Sequence, residues 1–132
     1  MLVSQHHAKS GFNQLHNSAV FAVLAALVVV VACARPTHHQ ETLKAIKHES
    51  QLLMRTHAMQ SDGAVPKNRW PRVIASLEPE MVTVYSEGVD ILIRPGLDGG
   101  YGYHVPKSER GPPKPQGRFS AVGQGVYWYH PY

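Results

Sequence analysis

Apolar residues in this chain follow three successive patterns. Residues 19–34 run Ala-Val-Phe-Ala-Val-Leu-Ala-Ala-Leu-Val-Val-Val-Val-Ala-Cys-Ala, with no charge and no period. As a helix this run spans about 24 Å at roughly 1.5 Å per residue. A bilayer core of about 30 Å is matched by nearer to 20 residues, and a signal-peptide core is usually shorter, so the run falls between an anchor and a leader. From residue 38 the spacing turns helical. Thr37 and Gln40 fit a capping box, and Leu43, Ile46, Leu53 and Met54 form a narrow stripe broken at Ser50. Asp62-Gly63 and then Pro66 stop a helix predicted over 38–60, a stalk or packing helix.

Beyond residue 65 the period falls to two. Pro71 suits the first turn of a short helix over 72–77, with Val73, Ile74 and Leu77 on one face and Trp70 packed nearby. Residues 81–85 and 89–93 alternate as strands, joined by Ser86-Glu87-Gly88 with Gly88 at a left-handed position. Residues 101–105 read as a third strand and 125–129 as a last one, separated by a Pro-rich loop over 106–117. The predicted fold class is α+β: an N-terminal hydrophobic helix, a stalk helix, then a small antiparallel sheet of three to four strands with a short helix. The corresponding organisation is a signal or anchor segment over 1–33, a helical stalk or linker over 34–64 and a small domain over 65–132.

Charge changes this picture little. The chain carries a formal +4, spread over all its parts. Residues 34–64 hold four basic against three acidic side chains, and residues 65–132 hold eight against six. No stretch forms the basic stripe that tracks a phosphate backbone, so no nucleic-acid partner is expected. A single cysteine, Cys33, rules out a disulfide within the chain.

Cys33 closes the apolar run. Val30-Val31-Ala32-Cys33 resembles the lipobox of bacterial lipoproteins, with Val at a position usually held by Leu. The resemblance implies a diacylglyceryl group on the Cys33 thiol and cleavage just before it. Membrane lipid is then a partner, and the domain lies on the periplasmic or extracytoplasmic side. The alternative is an uncleaved anchor in which Cys33 is a small hydrophobe. The positive-inside rule argues the other way for topology, since Arg35, Lys44 and Lys47 follow the run and only Lys9 precedes it. Trp70-Pro71, Gly88-Val89 and the closing Val126-Tyr127-Trp128-Tyr129 resemble small bacterial envelope proteins, a likeness that implies no activity.

Candidate chemistry is sparse. His39, His48 and His57 are nine residues apart, so His48 faces away from the others, and His39 and His57 lie about 27 Å apart along a helix. No metal and no cofactor are expected, with His38 and His39 at most a surface site. Asp98, His104 and Ser120 lack a strand-to-helix elbow, and His104 with His130 lacks a third ligand. The Gly-rich stretch 97–104 is expected to be a wide turn with Gly99 or Gly100 at positive φ. Tyr101, Tyr103, Tyr127 and Tyr129 are expected either to supply a thin core and a sheet edge or, on an open face, to offer a row of rings to a glycan or an envelope protein. The chain therefore reads as a membrane-anchored, non-catalytic binding or structural module. A small enzyme using Asp98 and His104, or an accessory subunit of a membrane complex, is the alternative.

Overall fold

In a computed structural model, which describes residues 34–57 and 63–131, the apolar stripe of residues 43–54 decides how the domain is built. Helix α1 (Gln40–His57) turns Leu43, Ile46, Ser50 and Leu53 inward at alternating spacings of three and four, with Met54 buried beside Leu53. Burying each large aliphatic side chain contributes about 1.5–3 kcal/mol. They meet Val82, Val84, Val89, Ile91, Tyr103, Val105, Val126 and Trp128 in one cluster, so α1 packs flat on the sheet. The capping box forms differently from its sequence pattern. Thr37 Oγ1 accepts from the His39 N–H at 3.2 Å, Gln40 Nε2 donates to the His38 carbonyl, and the Thr37 N–H is taken by Tyr103 Oη at 2.7 Å.

After α1 come β1 (Gly63–Ala64), a 3-10 turn (Lys67–Arg69) and the short helix α2 (Arg72–Ser76). Strands β2 (Met81–Val84), β3 (Gly88–Arg94), β4 (Tyr101–Pro106), β5 (Phe119–Gly123) and β6 (Val126–Tyr129) follow. Together they make a six-stranded antiparallel sheet in the order β1-β2-β3-β4-β6-β5. Two orphan N–H groups of α2, on Val73 and Ile74, are capped by the Glu49 carboxylate of α1 at 3.0 and 2.9 Å. Trp70 Nε1 donates to the Val65 carbonyl at 2.8 Å, and its ring packs against the edge of the core.

This corrects the expected α+β arrangement with a sheet of three to four strands. The described chain is mostly a six-stranded sheet with one long helix and one short one, and the expected N-terminal hydrophobic helix lies outside the described residues. Two strands escaped the pattern for different reasons. β1 has only two residues and shows no alternation. β5 reads Phe-Ser-Ala-Val-Gly, with Ser120 and Ala121 exposed at the sheet edge and a register shift between Ala121 and Gly123. Gly88 also differs from expectation. It lies within β3 instead of at a left-handed turn position, and it is glycine because a Cβ would collide with the Val105 carbonyl oxygen of β4.

One topological feature positions everything that follows. β6 is antiparallel to both β4 and β5, so β4 and β5 run parallel with β6 between them. A parallel return must carry the chain back along the sheet. The twelve residues 107–118 do this. They share a groove with Asp90 and His104, which alternate with Val89, Ile91 and Val105 of the core and so point to the opposite face. One face of the sheet is thus covered by α1. The other is crossed by an irregular segment.

Candidate functional site

The crossed face carries the polar chemistry. In the β3–β4 ladder Asp90 stands opposite His104, and His104 Nδ1 lies 2.6 Å from Asp90 Oδ1. A carboxylate can only accept, so Nδ1–H donates to it, and in the neutral ring this leaves Nε2 as an acceptor. The His104 side chain is 11% exposed and that of Asp90 33%, so the carboxylate is the more accessible member. Phe119 of β5 packs edge-on against His104 at 5.4 Å and against Tyr129 at 6.2 Å. The Tyr129 ring lies across Gly102, where a Cβ would sit 2.6 Å from its hydroxyl. Arg118 covers that ring at 5.6 Å. Burial pushes the Tyr129 phenol well above its ordinary value. The Asp90 charge raises it further, against a weaker opposing pull from Arg118.

Around this floor opens a groove of about 880 Å³. Its walls include Tyr85 and Glu87 of the β2–β3 turn, Lys107, Arg110, Pro113 and Lys114 of the crossing segment, and Phe119. The segment is held at its start, where the Lys107 N–H donates to the Glu87 carbonyl at 2.7 Å. Glu109 turns away from the groove toward Lys47 of α1, whose ammonium lowers the Glu109 carboxyl from its usual value through a hydrogen bond and its charge.

The structure separates the four tyrosines. Tyr103 faces α1, its hydroxyl oxygen accepting from the Thr37 N–H, and burial raises its phenol above the ordinary value. Tyr101 lies on the same side, 6.4 Å from the Trp128 ring, and Trp128 meets Tyr103 edge-on at 4.9 Å. Tyr127 and Tyr129 pair with His104 and Gly102 and belong to the opposite face. The rings therefore form two groups, one on each side of the sheet.

Asp98 and His104 are also apart. Asp98 is exposed in the turn before β4, where Gly99 and Gly100 have φ of 90° and 78°, whereas His104 is held by Asp90 within the ladder. Ser120 is exposed on the edge strand opposite Trp128, and His130 Nδ1 lies 2.8 Å from the Pro131 carbonyl oxygen. Cys33 lies outside the described residues. His38, His39 and His48 are exposed on or beside α1, and among the described residues no three His, Cys, Asp or Glu side chains gather as cation ligands. No helix among the described residues is long and apolar enough to cross a membrane.

Asp90 was not legible as His104's partner. Its position between Val89 and Ile91 puts it on the far face, but the register with β4 depends on a six-residue turn and an irregularity between Leu92 and Arg94. The cations of the crossing segment were hidden for a similar reason, because nothing in their spacing shows which face a Pro-rich connection crosses. Compared with known families, with curated proteins and with solved structures, the chain finds no match.

Proposed function

We propose that this chain is a membrane-tethered, non-catalytic binding module of a bacterial envelope, with the crossed face of its sheet as the binding surface. The observation that carries the binding role is the groove itself. Its volume falls within the range of about 300–1,000 Å³ common among ligand sites, and it combines an exposed Tyr85, a half-buried Phe119, cations and a hydrogen-bonded carboxylate–imidazole pair on one sheet face. The location rests on the lipobox-like Val30-Val31-Ala32-Cys33 at the end of the apolar run, which supports a periplasmic or extracytoplasmic domain held by lipid. Two acyl chains hold a protein firmly where one binds only weakly.

Each half has its own test. For the tether, intact mass of the membrane-extracted protein should show loss of residues 1–32 and a diacylglyceryl group on Cys33. Recovery of an unmodified full-length product in the soluble fraction would remove the tether. For the binding role, small organic fragments are added to the full chain in lipid nanodiscs and backbone amide NMR signals are followed. Shifts should concentrate at Tyr85, Asp90, His104 and Phe119. Shifts scattered over the surface, or centred on α1, would overturn the groove as the binding surface.

A further inference from the structure

We propose that the ligand of this groove is an acidic glycan, a sugar chain bearing carboxylates; this rests on the reading of the groove as a binding surface. Three features of the groove demand different things of a ligand. The walls demand negative charge. Lys107, Arg110 and Lys114 come from one segment of the chain, and among the described residues none of the three has a carboxylate within ion-pair distance. Glu109 of that segment is drawn off to Lys47. Of the two carboxylates on the lining, Asp90 is engaged by His104, which leaves Glu87 facing three cations.

The floor demands the opposite polarity. The Asp90 carboxylate accepts only, and the neutral His104 ring, with Nδ1–H committed to Asp90, offers an acceptor at Nε2. A bare anion would be repelled there. A group with O–H donors would be held, and neighbouring sugar hydroxyls provide them. The third feature is apolar: Tyr85, 40% exposed, and the Phe119 ring line the same groove, and such faces stack on the C–H face of a pyranose. Hydroxyl donors, a flat apolar face and a carboxylate occur together in a uronic-acid-type sugar. An acidic peptide supplies charge and N–H donors without the pyranose face.

The test uses the full chain in lipid nanodiscs, titrated calorimetrically with a short oligogalacturonate, with its methyl ester, and with an oligoglutamate of equal charge. Saturable binding of the oligogalacturonate is expected, weaker by about tenfold or more for both other probes. The Lys107→Ala/Arg110→Ala/Lys114→Ala variant should lose about tenfold or more in affinity, while Lys44→Ala/Arg69→Ala/Arg72→Ala, the same charge change off the groove, stays within about twofold. The substituted groove cations are exposed, and an unchanged thermal melt will show that the fold is kept. Equal binding of the methyl ester overturns the role of charge, and equal binding of oligoglutamate overturns the sugar. Equal losses in the two triple variants reduce the effect to net charge and overturn the site. Absence of oligogalacturonate binding, with fragments still shifting groove amides, overturns the ligand class and leaves the groove standing. A soluble, unprocessed protein removes the tether without touching this titration.

Discussion

The two faces of the sheet are made by alternate residues of the same strands, yet they have become different materials. Toward α1, Val82, Val89, Ile91, Val105 and Val126 pack against Leu43 and Ile46 almost without solvent access. On the other side, Asp90, His104 and Tyr129 stand beside an irregular segment bearing Lys107, Arg110 and Lys114. A regular helix covers a face with side chains alone, because its backbone groups bond to one another, and so favours an apolar lining. A connecting segment brings unpaired backbone and charged side chains and covers the face incompletely. Stability thereby rests on one side of the sheet, and the recognition proposed above falls to the other.

Neighbouring residues on β3 test that division most directly. Ile91→Ala should cost about 2–5 kcal/mol by leaving a cavity under α1. Leu92→Ala, one residue on and facing the groove side, should cost about 1 kcal/mol, since Leu92 is only half-buried. Denaturant unfolding of both variants, followed by near-ultraviolet circular dichroism, measures the gap; equal costs would mean the two faces contribute alike. Next in size, Glu49→Ala should cost about 1–3 kcal/mol in the same assay, because it strips the N–H groups of Val73 and Ile74 of their acceptor.

A smaller effect of opposite sign is expected at Ser50. Its hydroxyl is fully buried on the α1 side without a hydrogen-bond partner, so Ser50→Ala should raise stability by about 1 kcal/mol. A loss there would show that the helix face has a use for polarity. The groove side makes the last prediction, through pH. The Tyr129 phenol is raised in the folded state, so the unfolded chain binds fewer protons once the pH passes the ordinary value of 10.0. Stability is then full below that pH and falls as pH rises toward the folded value. Tyr103 on the other face has a phenol raised in the same direction, so Tyr129→Phe should reduce the alkaline loss without abolishing it. Melting temperatures of both proteins across the alkaline range provide the check.

What the sequence revealed depended on regularity. The stripe Leu43, Ile46, Leu53 and Met54 marked α1, and alternation placed β2, β3, β4 and β6 to within a residue or two. Ser50 looked like a break in that stripe because a hydroxyl gives no apolar signal; the backbone put it in the core regardless. β5 stayed hidden because an edge strand has one neighbour and little to bury, so its residues need not alternate. The candidate site was legible only in part. His104 was named in the sequence, but with Asp98, Ser120 or His130 as companions; Asp90 joins it through strand register and the cations join through the path of a connection, and both are long-range properties.

β6 follows β5 in the chain yet lies between β5 and β4. Until β6 arrives, β5 has no hydrogen-bonding neighbour, and residues 107–118 are held by Glu87 and Lys47 at their start but not by His130 at their end. The same strand carries Val126 and Trp128 into the helix-covered core, so its arrival completes both faces in one long-range step. A nascent domain would finish its hydrophobic interior and its groove together. An intermediate halted before that step would lack both.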